Sequence, residues 1–127
     1  MDALGRHCII EYYGCPAEIV NDVAGIEAAM LQAARAMRVT IVASEFHRFN
    51  PFGVSGMVII GQSHLSIHTW PELGYAAADI FTCSATIDPA VAHALLRVAL
   101  RPTSESVIEI RRGILPGRPA AGEPAPP

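Results

Sequence analysis

Apolar and β-branched residues group into short runs along this chain, and these runs predict six strands. The first run, Gly5–Tyr13, is rich in isoleucine and tyrosine, a composition typical of strands. The run at residues 57–60 is wholly apolar and ends at Gly61, which indicates a buried strand followed by a break. The other strands are predicted at residues 39–44 with an extension to 49, then at 65–70, 75–83 and 106–111.

A spacing of three and four residues between apolar positions predicts two helices. Pro16 suits the first turn of a helix, and the apolar positions after it are Ile19, Val23, Ile26, Met30, Ala33 and Met37. They predict one long helix with a single apolar face. The second helix is predicted to begin at Asp88 and Pro89, an N-cap followed by proline, and to end before Pro102.

The resulting order, β-α-β-β-β-β-α-β, indicates an α+β fold. We expect a two-layer sandwich in which two helices cover one face of a mostly antiparallel sheet. The opposite face of the sheet would then be exposed. A second copy of the chain is the simplest cover, so we expect a homodimer packed sheet to sheet in an αββα arrangement.

Length and composition indicate a single domain. At 127 residues, of which 51% are apolar, the chain is long enough for one domain with a packed core. We assign that domain to residues 1–113. Residues 114–127 carry five of the ten prolines, and we expect them to form a solvated, disordered tail.

Charge and cysteine content argue against several function classes. The formal net charge is −3 and no basic block occurs, so the sequence predicts neither a nucleic-acid partner nor binding to an anionic membrane. No apolar run approaches the length of a membrane span, and the first residues lack a signal-peptide pattern. Three cysteines, an odd number, indicate free thiols, and we expect a cytoplasmic protein.

The stretch that ends at Cys83 combines a serine, two histidines, a carboxylate and a thiol. His64 and His68 would share one face of a strand about 13 Å apart, too far to bind one metal ion unless Cys83 or His47 joined one of them. We therefore predict no metal site. The sequence around Ser63 has the first glycine of the G-x-S-x-G turn of hydrolases but lacks the second. Spacing alone does not distinguish a functional role from a structural one for any of these residues. Cys83, for example, could simply be buried, as free cysteines commonly are.

Four segments carry a resemblance to a known family: GRHCIIEYYGC, FHRFNPFGVSG, SHLSIHTWPE and GYAAADIFTC. Together they resemble the S-adenosylmethionine decarboxylase proenzyme family of bacteria and archaea over residues 4–113. The resemblance implies a proenzyme that cleaves itself between Gln62 and Ser63. Ser63 would then become a pyruvoyl cofactor at the new N-terminus, and the products would have 62 and 65 residues.

The implied cleavage suits a serine at this position. Its hydroxyl can attack the Gln62 carbonyl carbon, which moves the acyl group from nitrogen to oxygen and leaves an ester. Elimination of the ester and hydrolysis then give the pyruvoyl ketone, provided that a base removes the Cα proton. By resemblance, Ser55 and His68 assist this processing. The family usually has glutamate before the cleaved bond, so we expect Gln62 to affect the rate of cleavage.

The resemblance also assigns the later chemistry. The pyruvoyl ketone would form a Schiff base with the substrate amine and accept the electrons released with carbon dioxide, and Cys83 would protonate the product carbon. Phe49 would stack on adenine, Glu72 would bind the ribose hydroxyls, and Leu65 would also contact substrate. We expect His68 and the pyruvoyl group to come from one protomer, with other residues of the site contributed by its partner.

The function that the resemblance implies is decarboxylation of S-adenosylmethionine, which would supply the aminopropyl donor for spermidine synthesis. Two alternatives stay open. One is the same pyruvoyl chemistry on arginine or ornithine, and the other is an unprocessed homologue that only binds a partner.

Overall fold

Six strands and three α-helices form within residues 3–117, the part of the chain that this computed structural model describes. In order they are β1 (Gly5–Tyr13), α1 (Ala17–Val20), α2 (Val23–Ala36), β2 (Ile41–Arg48), β3 (Val54–Ile60), β4 (Ser63–Trp70), β5 (Tyr75–Thr82), α3 (Pro89–Leu100) and β6 (Ser104–Arg112). One 3-10 turn, Pro71–Leu73, links β4 to β5. The predicted α+β class is confirmed. Of the predicted tail, residues 118–127 lie outside the described part.

The first predicted helix is interrupted, which corrects the expectation of one long helix. It divides into α1 and α2 at Asn21 and Asp22, because short polar side chains compete with the helical backbone for hydrogen bonds. Here the Asn21 Oδ1 atom accepts a hydrogen bond from the Gly53 N–H at 2.9 Å. The apolar face survives the break, since Ile26 and Met30 are buried. None of the helices in residues 3–117 is long and apolar enough to cross a membrane.

The sheet is antiparallel throughout, with the strand order β2-β3-β4-β5-β1-β6. Helices α2 and α3 pack against each other and cover one face of it. Alternate residues of the central strands point to this face and form the core, among them Ile10, Tyr12, Val58, Leu65, Ile67 and Ile80. The alternation therefore decides which side chains each strand presents to the helices and which to the opposite, open face.

The open face of the sheet presents large apolar side chains to solvent. Met57, Ile59, Trp70, Ile108 and Ile110 are all exposed, and by strand alternation and register they share this face. A contiguous apolar surface of this kind is typical of an interaction face. The sheet-to-sheet homodimer stays a prediction.

Candidate active site

The predicted cleavage bond lies at a two-residue hairpin turn between β3 and β4. Gly61 and Gln62 form the turn, and the flanking residues Ile60 and Ser63 are paired. Gly61 adopts a φ of +60°, although an added Cβ would meet no other atom within 4 Å. Glycine is therefore favoured here for its backbone conformation rather than for space. The Gln62–Ser63 bond lies where the chain leaves the turn and enters β4.

Cys83 contacts both sides of this bond. Its backbone N–H donates a hydrogen bond to Ser63 Oγ at 3.1 Å, and its thiol donates to the Gln62 carbonyl oxygen, 3.5 Å from Sγ. Ser63 is buried, with 6% of its surface exposed, so its hydroxyl is held in a defined position. The predicted nucleophile, the carbonyl group it would attack and the predicted proton donor are therefore neighbours.

Cys83 differs from the other two cysteines in its surroundings. Burial raises the pKa of the Cys8 thiol and of the Cys15 thiol, because an apolar environment disfavours the thiolate. Cys83 is exposed, and all three thiols are free. The sequence left a core role open for Cys83, and its exposed position argues against that role.

An open groove of about 520 Å³ lies beside the turn, within the range of volumes usual for small-molecule sites. Gln62, Ser63 and Cys83 line it, together with Arg38 and Thr40 from the loop before β2. A small molecule in this groove would meet residue 63 and the thiol together.

A second group of predicted residues lies at the other end of β4. Ser55 and His68 are direct partners on β3 and β4, and Ser55 Oγ lies 2.7 Å from His68 Nδ1. Phe49 and Glu72 line the same groove as this pair. The residues assigned to processing assistance and to recognition of the nucleoside therefore share one surface.

The loop that carries Phe49 is held by hydrogen bonds to other elements. The Phe49 N–H donates to the Gly53 carbonyl oxygen at 2.8 Å, and the Gly53 N–H donates to Asn21 between α1 and α2. At the end of β4, the buried Thr69 hydroxyl donates to the Val20 carbonyl oxygen at 2.7 Å. The break in the first helix thus positions this loop against the His68 end of β4.

Ser63 and His68 lie far apart within one chain. His68 is five positions after Ser63 along β4, which corresponds to about 16 Å at the usual rise of a strand. Ser63 is buried on the helix-covered face, whereas His68 is exposed on the open face. The expectation that His68 and the pyruvoyl group come from one protomer does not fit this geometry. The predicted site residues form two separate groups within the chain.

Leu65 joins neither group. Its side chain is fully buried in the core on the helix-covered face. The expected contact with substrate would therefore have to come from the backbone of Leu65 and not from its side chain.

The structure adds a contact that the sequence analysis missed, between His7, His64 and Asp79. The Asp79 Oδ2 atom accepts hydrogen bonds from both histidines, with His64 Nε2 at 3.1 Å. Strand alternation was the available signal, because Asp79 and His64 share the open face once β4 and β5 pair in register. His64 thus donates to Asp79, and its ring lies edge-on against that of His7. Neither is the Cys83 or His47 that a metal site at His64 or His68 would have needed.

Sequence comparison gives the family of the chain. The family model described as S-adenosylmethionine decarboxylase matches residues 6–113. The chain belongs to the S-adenosylmethionine decarboxylase family. The match includes both groups of site residues and the turn between β3 and β4.

Curated relatives in this family are similar over most of their length. An S-adenosylmethionine decarboxylase proenzyme from Thermotoga petrophila is 51% identical over 113 residues, which are 89% of this chain and 87% of the relative. A proenzyme of the same description from Thermodesulfovibrio yellowstonii is 45% identical over 118 residues, 93% of this chain and 87% of the relative.

Two solved structures have the same fold. The crystal structure of the adenosylmethionine decarboxylase from Aquifex aeolicus matches with a TM-score of 0.85 and 29% identity, over 94% of this chain and 99% of that chain. The AdoMetDC monomer from Trypanosoma brucei matches with a TM-score of 0.63 and 17% identity, over 82% of this chain and 45% of that chain. The second likeness concerns the fold alone.

Proposed function

We propose that this chain cleaves itself between Gln62 and Ser63 and then decarboxylates S-adenosylmethionine with a pyruvoyl group derived from Ser63. The contact of Cys83 with both sides of that bond is the observation that carries the proposal. Membership of the family and the relatives described as proenzymes support it. The product would retain an aminopropyl group on its sulfonium and so supply the donor for spermidine synthesis.

The residues around the turn suit the acyl shift that starts the cleavage. A bond would form between the Ser63 hydroxyl oxygen and the Gln62 carbonyl carbon while the C–N bond breaks, and negative charge would develop on the Gln62 oxygen. The Cys83 thiol donates a hydrogen bond to that oxygen, and a donor in this position stabilises the developing charge. The Gln62 side chain takes no part in these bonds, so glutamine in place of glutamate leaves the bond cleavable.

Residue 63 is a suitable place for a pyruvoyl group. When present, the group would supply a ketone that binds the substrate amine and accepts the electrons released with carbon dioxide. The buried side of residue 63 excludes water, and its other side adjoins the open groove. Cys83, in the same groove, would deliver the proton to the product carbon. A thiol suits this task because its ordinary pKa, about 8.5, is closer to neutrality than that of a hydroxyl.

Completing the site requires a second copy of the chain. Removal of the Ser63 Cα proton needs a base, but His68 of the same chain lies about 16 Å away along β4. Two chains packed by their open faces, with strands in opposite directions, would bring the Ser55–His68 pair of one beside residue 63 of the other. The exposed Met57 and Ile59 side chains support an interface at this face. We therefore expect two sites per homodimer, each built from both protomers.

Phe49 and Glu72 provide groups that fit an adenosyl moiety. The Phe49 ring is exposed and would stack on adenine or lie against the positive sulfonium, which aromatic faces attract. The Glu72 carboxylate lines the same groove and would accept hydrogen bonds from the ribose hydroxyls. Because both residues lie beside His68, one protomer would bind the nucleoside while Cys83 and the cleavage turn of the other bind the amino-acid end.

Release of carbon dioxide from carboxyl-labelled substrates tests the proposal. Native protein should release the label from S-adenosylmethionine and not from arginine or ornithine. Ser63→Ala has no hydroxyl to attack the bond, so it should remain one chain and release none, whereas Ser106→Ala on β6 is the control and should be cut and active. Release from arginine or ornithine alone would contradict the substrate assignment. Release by the Ser63→Ala variant would contradict the pyruvoyl chemistry.

A further inference from the structure

Asp79 on β5 is the centre of a polar cluster on the open face. Its Oδ2 atom accepts hydrogen bonds from Nε2 of His7 on β1 and Nε2 of His64 on β4, and its Oδ1 atom accepts one from the Ser66 hydroxyl. Partial burial would raise the pKa of Asp79, but the hydrogen bonds from Ser66, His7 and His64 outweigh this effect and lower it. An ionised carboxylate therefore holds three side chains on the two strands beside β5.

The ligand atoms of His7, His64 and Asp79 lie within 4.8 Å of one another, a spacing that a metal ion could also use. The position of Arg112 favours a hydrogen-bonded cluster over a metal site. Its Nη1 atom lies 3.4 Å from His7 Nδ1 and donates to it, so a neutral His7 ring carries its hydrogen on Nε2, which faces Asp79. The guanidinium is also a positive charge that opposes a cation beside the same ring.

Cleavage at the turn would change what holds the start of β4. Residue 63 would become a strand end, and chain ends fray unless they are tied down. Conversion of Ser63 would also remove the hydroxyl that accepts the Cys83 N–H. The strand β3 on one side of β4 would belong to the other chain, because it precedes the cut. The hydrogen bond between His64 and Asp79 is then the side-chain contact next to the new terminus, and it joins β4 to β5 of the same fragment.

We propose that the hydrogen bond between His64 and Asp79 is a positioning contact that holds residue 63 beside Cys83 after the cut. The inference rests on the proposed function. His64 acts through the backbone of its neighbour and does not contact the reacting atoms. Its effect on rate can still be large, because a misplacement of about 1 Å at a reacting centre costs about 100-fold in rate.

Two alanine variants separate positioning from stability. His64→Ala and His7→Ala each delete one hydrogen bond to Asp79 Oδ2, but only position 64 adjoins the new terminus. Both variants should be cut at residue 63 and should lose a similar amount of thermal stability. His64→Ala should lower kcat about tenfold or more with KM changed less than about threefold, whereas His7→Ala should keep kcat within about threefold of native.

Glutamine at position 64 should restore the hydrogen bond to Asp79 and with it the turnover rate. Its amide reaches about as far as histidine Nε2 and can donate to the Asp79 carboxylate, so His64→Gln should have a kcat within about threefold of native. The asparagine side chain is too short for this contact, so His64→Asn should behave like His64→Ala. The glutamine and asparagine pair also decides the question if the alanine variant does not fold.

Several outcomes would overturn the inference. Equal losses of kcat in His64→Ala and His7→Ala would assign the cluster to stability alone, and a native kcat in His64→Ala would remove the positioning role. A rise in melting temperature when zinc is added to native protein, absent in His64→Ala, would indicate that these residues form a metal site and not a hydrogen-bonded cluster. Native protein that is never cut would contradict the proposed function as well. Normal turnover by the native protein, together with equal kcat values in His64→Ala and His7→Ala, would contradict this inference and leave the proposed function intact.

Discussion

Cys83 is the residue that connects cleavage with turnover. In the uncut chain its backbone N–H binds the Ser63 hydroxyl, and its thiol binds the carbonyl oxygen of Gln62. The same thiol would remain beside residue 63 once the bond is cut, because β5 belongs to the same fragment as residue 63. One side chain therefore meets the charge that develops during the acyl shift and the carbon that must later receive a proton.

Removal of the thiol should separate the two stages. Cys83→Ala should still be cut at residue 63, but more slowly because the donor to the Gln62 oxygen is lost. It should lose less than about 0.5 kcal/mol of unfolding free energy, since Cys83 is exposed. Its turnover should fall by about 100-fold or more, as expected for a lost general acid. In some turnovers the proton should reach the wrong carbon, which leaves the substrate amine on the enzyme and alanine at residue 63. Mass spectrometry of the 65-residue fragment after turnover measures this change.

Cys83→Ser is the matched control, because it keeps a donor but raises the pKa of that donor far above neutrality. It should be cut normally and turn over slowly. Near-native turnover in Cys83→Ala would exclude the thiol as the proton donor.

At the scale of elements, local patterns were predictable and long-range partners were not. Helix α3 begins as its sequence indicates, since Asp88 accepts a hydrogen bond from the Ala90 N–H at 3.0 Å. The break at Asn21 was not predicted, because its partner Gly53 lies 32 residues further along the chain and no local pattern reveals such a contact.

Strand alternation held more information about the site than its motifs suggested. Positions 63 and 68 differ by an odd number, so Ser63 and His68 must face opposite sides of β4. The predicted strand begins at residue 65, so this separation follows only once β4 is seen to begin at Ser63. The exposure of Cys83 required the structure, because residue spacing does not show which positions the helices and loops cover.

The bond between Asn21 and Gly53 should stabilise the loop that carries Phe49. Asn21→Ala leaves the Gly53 N–H without its partner and should cost about 1 kcal/mol of unfolding free energy. It should also raise the KM for S-adenosylmethionine, because Phe49 loses its fixed position. Asp22→Ala is the control, since Asp22 makes no capping hydrogen bond to α2, and its effect should stay within about 0.5 kcal/mol. Equal effects in both variants, measured by denaturant unfolding, would contradict this role.

At the scale of the whole molecule, the fold keeps the two proposed fragments together. Strands β1 to β3 precede the cut and β4 to β6 follow it, yet β1 lies between β5 and β6 in the sheet. The fragments are thus interleaved through backbone hydrogen bonds along several strand pairs. They should stay associated in native buffer and separate only on denaturation.

A mixture of two inactive variants tests whether the site is shared between protomers. Ser63→Ala retains His68, and His68→Ala retains Ser63, so a mixed dimer has one complete site if the residues come from different chains. Only the His68→Ala chain should then be cut, and only when both variants are expressed together. Tags of different mass distinguish the chains. A mixture in which neither chain is cut, or His68→Ala chains that are cut alone, would contradict the shared site.

The intact mass of the purified native protein shows whether the chain cleaves itself and forms a pyruvoyl group. Self-cleavage with pyruvoyl formation should give two species, residues 1–62 and a 65-residue fragment that begins at position 63 with a ketone in place of the serine amine. A single species of 127 residues would contradict self-cleavage. A cut at the same bond that leaves a free serine amine would contradict the pyruvoyl group.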